Sequence, residues 1–257
     1  ITEVQSDMER KQTVTFNPYS KGKALHPDLP GARAVLLERE DLKEELALKI
    51  QTSAEMPAFL LLGQRRVGKT SLLNFLPVLL DGTRFRLAVL DAQSLSGERS
   101  TVIWLRAWGE AGCRALGLKA DTLTDLPDDW LGAWDVVSTL LLEQAQIARL
   151  KLILCMEEYD ETYGFHYALS QNEERGAQLL ARMRAFSQRQ NDVVLMFVGA
   201  VGFTDLPGDL RWSKYFVHLH TMRLDYLSRE GSLQLITQPA PNFRLRYAEG
   251  VPERIWE

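Results

Sequence analysis

The segment GQRRVGKTSLLNFL, Gly63 to Leu76, constrains this chain more than any other stretch. It follows the apolar run Phe59–Leu62, bounded by Pro57 and Gly63, and opens a stretch with helical patterning from Lys69 to about Leu80. A short all-apolar run fits a strand buried on both faces, as in a parallel sheet. Between strand and helix, Gly63, Gln64, Arg65, Arg66, Val67, Gly68, Lys69 and Thr70 satisfy G-x-x-x-x-G-K-[ST], with Ser71 next. The glycines let the backbone curl so that successive N–H groups point inward at phosphate oxygens. The helix that follows presents unsatisfied N–H groups and a partial positive charge to the same anion. Lys69 can reach the outer phosphates of a nucleoside triphosphate, and the Thr70 hydroxyl can ligate Mg²⁺. Average residue usage produces this pattern about once in a hundred chains of this length. With the strand before it and the helix after it, a plain basic turn is the weaker reading.

The rest of the chain alternates strand-like and helix-like segments. Residues 38–52 carry Leu42, Leu46, Leu48 and Ile50 between charges and predict an amphipathic helix. Further strands are expected over 84–92, 150–156, 192–200 and 215–224, and further helices over 100–116, 130–150, 172–190 and 228–238. This alternation predicts an α/β fold: a parallel five-stranded sheet sandwiched by helices. Residues 1–30, broken by Pro18, Pro27 and Pro30, read as an extended lead-in; 31–240 as the core; and 241–257 as the start of a connection to a further region. Because the chain begins at Ile1 and stops at Glu257 in RIWE, a longer parent protein is expected. Trp104 with Trp108 and Trp130 with Trp134 are i, i+4 pairs suited to helix packing. His218 and His220 would share one face of a strand.

Composition narrows the function classes. The formal net charge of −4 gives no support to a broad nucleic-acid footprint. The two cysteines, Cys113 and Cys155, form no C-x-x-C pair, which disfavours a zinc site or a disulfide framework. No apolar run approaches the roughly 18–20 residues of a membrane span, and no leader peptide is visible, so a cytoplasmic location is expected.

A triphosphate site also needs acids at the tip of a neighbouring strand. LILCMEEYDE supplies them: Glu157 directly follows the apolar strand, Glu158 is next, and Asp160 is close by. Glu157 is assigned to the Mg²⁺ side, through water, and Glu158 to polarising the attacking water. Ligands collect at the carboxyl edge of such a sheet, which favours these roles over a merely solvated strand end.

With loop and acids in place, GQRRVGKTSLL followed by LILCMEEYDE resembles the AAA+-related STAND P-loop NTPases, in particular their archaeal-type and bacterial branch. The lead-in agrees, since Asn17, Pro18, Tyr19, Gly22, Arg39 and Glu40 match that branch's NPY…GRE segment near the adenine, with Glu38 where the pattern has Gly. LITQPAPNFRLRY, 235–247, resembles the passage from core to lid. The resemblance implies ATP/ADP and Mg²⁺ as cofactors, a slow ATPase, and a switch whose ATP form assembles and signals, in some relatives for defence. It implies self-assembly through this domain, and a winged-helix region, effector and sensor outside the chain. Arg211, just before the fifth strand, has the position of an arginine finger, although a plain surface arginine is the stronger reading because many such relatives manage without a finger. Ala200 stands where relatives carry a polar γ-phosphate sensor, with Thr204 the nearest hydroxyl. Three alternatives stay open. A GTPase would use DLPG at Asp205–Gly208, but no N-K-x-D motif exists, so Asp205 reads as a turn residue. An AAA+ DNA-handling ATPase of the origin-binding or loader type shares the same core. A nucleotide-binding scaffold with little turnover would suit Glu157 and Ala200.

Overall fold

The computed structural model describes residues 23–29, 32, 40–52, 58–119, 122–161, 164–237 and 247–256. The chain divides into two units, one of residues 42–225 and one of residues 1–41 with 226–257.

The larger unit is built on β1 (Phe59–Gly63), β2 (Phe85–Asp91), β3 (Lys151–Glu157), β4 (Val193–Gly199) and β5 (His220–Leu224). They form one five-stranded sheet in the order β2-β3-β4-β1-β5, and every pairing is parallel. A parallel sheet needs covering on both faces, and alternation along each strand supplies two separate cores. Leu60, Leu62, Leu152, Leu154, Leu195 and Phe197 face one side. Phe59, Leu61, Ile153, Cys155, Met196 and Val198 face the other.

The second face packs on α1 (Glu40–Thr52), through Leu46 and Ile50, and on α2 (Lys69–Leu79), through Leu72 and Leu76. The first face is covered by α3 (Thr101–Ala115), α4 (Trp130–Ala148), α5 (Phe165–Ser170) and α6 (Glu173–Arg189). Three of these begin at side chains suited to capping. Ser100 accepts from the Ile103 N–H at 3.4 Å, Asp129 from the Gly132 N–H at 2.8 Å, and Asn172 from the Arg175 N–H at 3.1 Å. Trp104, Trp108 and Trp134 are fully buried, so the tryptophan pairs serve the core. The ring of Trp108 lies 6.1 Å from that of Trp134, and its N–H donates to the Cys155 carbonyl at 3.1 Å.

The predicted fifth strand is shorter than its apolar run. Trp212–Lys214 form a 3₁₀ turn and β5 starts only at His220, which leaves His218 in a turn and not on a strand face with His220. Apolar character over 215–219 reflects burial of Phe216 against Phe197 and Trp212 rather than strand pairing. The short α5 was not legible in the sequence. The smaller unit contains α7 (Arg229–Thr237) and α8 (Val251–Trp256), with the Arg229 guanidinium 5.5 Å from the Trp256 ring centroid. Among the described residues no helix is long and apolar enough to cross a membrane.

Candidate functional site

The sequence segment from Gly63 to Thr70 lies at the carboxyl edge of the sheet, between the last residue of β1 and the first turn of α2. Gly63 is required by close approach: a Cβ there would lie 2.7 Å from the Leu224 carbonyl oxygen and 2.8 Å from Val67 Cγ1. Arg66 and Gly68 take positive φ, 66° and 107°, which curls the bend back over its own start. Gly68 offers no side chain to cap α2, an arrangement that suits an anion at a helix start.

Lys69 is only 4% exposed. Its ammonium donates to the Gly63 and Gln64 carbonyls at 2.9 and 3.3 Å, so the bend wraps around the charge. Val67 and Ser71 are buried, and Gln64, Arg65, Arg66 and Thr70 are exposed. Arg65 pairs with Glu161. Among the described residues the Arg66 guanidinium has no carboxylate partner.

Strand order brings the acids to this bend. Glu157 ends β3, opposite Val198 of β4 and Asp91 of β2, while Leu62 of β1 lies opposite Gly199. The Thr70 hydroxyl donates to Glu157 Oε1 across 87 residues of sequence. Lys69 Nζ lies 3.4 Å from Glu158 Oε1. The two residues expected to hold and polarise are therefore gathered with Lys69 and Thr70 at one strand edge.

Burial pushes the Glu157 carboxyl above the usual range; Glu158 and Asp91 push the same way, and the Thr70 hydroxyl and Lys69 oppose them. Burial raises Glu158 too, against the pull of Lys69. Glu158 also has φ 58°, unusual for a side chain with a Cβ, and its N–H donates to the Val198 carbonyl at 2.6 Å. Left-handed backbone costs about 1–2 kcal/mol and tends to be retained at functional positions.

A raised acid in the fold binds its proton more tightly than in the unfolded chain. Stability therefore falls as pH rises through the window from the unfolded value to the folded one. Glu157→Gln removes that penalty and keeps an oxygen for Thr70. We expect it to raise the melting temperature at pH 7. At pH 4, where the wild-type carboxyl is already mostly neutral in both states, the gain should vanish. Thermal melts at the two pH values check this, and an equal gain at both would contradict it.

Asp160, one of the candidate acids, has a structural job. Its Oδ2 accepts from the Ala200 and Val201 N–H groups at 2.8 and 2.6 Å, and the Tyr159 hydroxyl donates to the Val201 carbonyl at 2.6 Å. These bonds clamp the Glu158 segment to the turn after β4. Gly199 permits it, since a Cβ there would lie 2.3 Å from Asp160 Oδ1. Ala200 and Thr204 are exposed. Arg211 is exposed and precedes the Trp212–Lys214 turn, and it makes no ion pair among the described residues. Asn17, Pro18, Tyr19, Gly22 and Arg39 lie outside the described residues. Sequence reasoning missed Glu161 as the partner of Arg65 and the clamp of Asp160, because neither partner is near in sequence or marked by a motif.

No protein-family model and no curated protein matches the chain. Among solved structures it is similar to a Walker-type ATPase of Pyrococcus abyssi, with TM-score 0.55 and 16% identity over 93% of this chain and 66% of that one. It is also similar to the ORC2 protein of Aeropyrum pernix, solved in ADPNP and ADP complexes, with TM-score 0.57 and 14% identity over 93% of this chain and 58% of that one. The chain thus spans no more than about two thirds of the length of either. At such identities the likeness is one of fold: a five-stranded parallel α/β sheet covered by helices.

Proposed function

We propose that the chain is an ATP-binding, Mg²⁺-dependent ATPase domain with slow turnover, used as a nucleotide-controlled switch of the STAND type. The observation that carries this reading is the buried Lys69 ammonium inside the bend, in contact with Glu158 and beside the Thr70–Glu157 pair.

The donor set fits the ligands. The bend and the first turn of α2 hold phosphate oxygens through N–H groups, and Lys69 adds a cation that leaves its carbonyl partners for the outer phosphates. Mg²⁺ binds through one or two protein oxygens together with substrate oxygens and water. Thr70 and Glu157 supply such a pair, and among the described residues no cluster of three His, Cys, Asp or Glu forms a cage. Bound there, the cation would supply positive charge that offsets the phosphate oxygens. Glu158, held at its strained φ by the Val198 carbonyl, accepts a proton or hydrogen bond from the attacking water. Residues 31–240 form the ATPase core in this reading, with 1–30 as lead-in and 241–257 leading to the lid. The resemblance assigns Arg39, outside the described residues, to the base, and Arg211 has the position of a finger, with a plain surface arginine the reading that suits slow turnover.

Slow turnover follows from chemistry. Glutamate at position 157 is one methylene longer than aspartate, and the Ala200 side chain cannot donate to a γ-phosphate. In a switch this is no defect, because the lifetime of the ATP state sets the signal. Self-assembly in the ATP state and effector and sensor partners outside this chain belong to the same proposal.

Glu158→Gln tests the chemistry. In single-turnover hydrolysis it should fall by about 10²-fold or more, the typical worth of a general base, while ATP affinity holds. Equal rates would remove Glu158 from catalysis. A second reading, a DNA-handling ATPase, is supported by the likeness to the ORC2 fold. Titration with duplex DNA at two salt concentrations separates the two, since phosphate contact gives a steep salt slope.

A further inference from the structure

A cleft of about 510 Å³ opens at the amino edge of the sheet, the edge remote from the bend at Gly63. Ala58, just before β1, and the Arg184–Asn191 segment leading into β4 form one side. The Tyr215–Leu219 segment leading into β5 forms the other. Its volume falls in the range of ligand pockets, roughly 300–1,000 Å³.

Both walls are anchored. The Gln190 side chain donates to the Phe186 and Val193 carbonyls at 3.4 and 2.8 Å and accepts from the Asp192 and Val193 N–H groups at 2.8 and 2.7 Å. The turn that carries Arg189 is thus fixed onto β4. On the other wall, Phe216 packs on Phe197 and Trp212, with ring centroids 5.5 and 6.3 Å apart. A cleft with fixed walls loses little entropy when it binds.

Its formal charge has one sign. Arg184 and Arg189 line it together with His218, and no carboxylate does so among the described residues. None of the three makes an ion pair among the described residues, whereas Arg182 on the same helix is held by Asp135. This occurs in a chain whose net charge is −4. Beside the two arginines, Tyr215, Phe216 and Leu219 give the cleft apolar surface.

We propose that this cleft binds an acidic peptide segment of a partner protein. Carboxylates pair with Arg184 and Arg189, and an apolar side chain lies on Tyr215, Phe216 and Leu219. Arginine and tyrosine are the side chains that most often carry such contacts. A cleft of about 510 Å³ takes a short peptide segment, whereas a long nucleic acid would run past it. The inference does not depend on the nucleotide reading, since no residue of the cleft belongs to the bend or to the β3 tip.

The probe is a fluorescein-labelled peptide of glutamates around a central pair of phenylalanines, followed by anisotropy. Wild-type protein should bind it, more weakly as salt rises. Arg184→Gln with Arg189→Gln should weaken binding by about tenfold or more, equivalent to about 1.4 kcal/mol. Tyr215→Ser should weaken it independently. The double variant should keep the wild-type melting temperature and ATP affinity, and Tyr215→Ser, which trims a ring packed on the core, should keep the ATP affinity and a single cooperative melt. The proposal is overturned if the peptide does not bind, if a counterpart with lysine at each glutamate binds as well, or if the double variant binds equally. Displacement of the peptide by equimolar short duplex DNA would also overturn it, in favour of nucleic acid.

Discussion

Lys69→Ala is expected to weaken ATP binding by about 100-fold or more. Each hydrogen bond to a charged phosphate is worth about 1.5–3 kcal/mol, and the ammonium can offer more than one. About 2.8 kcal/mol already corresponds to 100-fold. The substitution also leaves the Gly63 and Gln64 carbonyls without their donor and Glu158 without its cation. Loss of Lys69 removes a counter-charge that pulls Glu158 down, so its carboxyl should rise further and take up a proton more readily. Isothermal titration with ATP and Mg²⁺ measures the first effect. Unchanged affinity would remove the nucleotide reading altogether, because no other cation in the bend is buried within it.

Trp212→Ala should cost about 3–5 kcal/mol, as expected for a buried tryptophan that leaves a cavity. Trp212 is fully buried and its ring lies 5.6 Å from Tyr159, 5.1 Å from Phe203 and 5.5 Å from Phe197. For a chain of this length that corresponds to a melting temperature lower by about 10 °C. The indole N–H donates to His166 Nδ1 at 3.0 Å, while His166 Nε2 lies 2.8 Å from the Pro207 carbonyl. Only a neutral ring, protonated on Nε2, satisfies both neighbours.

Burial holds His166 below its ordinary value, against the opposing influence of the Pro207 carbonyl and Asp160. Stability from this site is therefore complete above the unfolded value of about 6.5 and is lost as pH falls toward the folded value. Trp212→Phe keeps most of the ring volume and removes the hydrogen bond, so it should cost less than the alanine variant. Its melting curve should also lose part of the wild-type decline below pH 6.5. A fall of under 1 kcal/mol for Trp212→Ala would mean that the loop before β5 does not rest on this ring.

The strand and helix segments were readable because their signals are local. An all-apolar run such as Phe59–Leu62 needs burial on both faces wherever it lies, and the Gly63–Thr70 pattern carries its own backbone geometry. Helix starts were marked at Ser100, Asp129 and Asn172, where a side chain finds an N–H three residues on. Glu157 ends β3 for the same reason, since it follows its apolar run directly. The start of β5 was misjudged because the run from Tyr215 is apolar for packing on Phe197 and Trp212, and burial alone does not distinguish a strand from a buried turn.

By itself, then, the sequence determined that strands and helices alternate and that a glycine-bounded bend stands between one strand and one helix. Tertiary structure alone decided that β4 separates β1 from β3, that Thr70 meets Glu157 across 87 residues, and that Asp160 closes the turn after β4. It also decided that two arginines without an ion pair among the described residues line a cleft at the far edge. The physical reason is range. Backbone propensity and hydrophobic period act over a few residues, whereas strand order and the meeting of charged groups are set by the burial of both sheet faces at once.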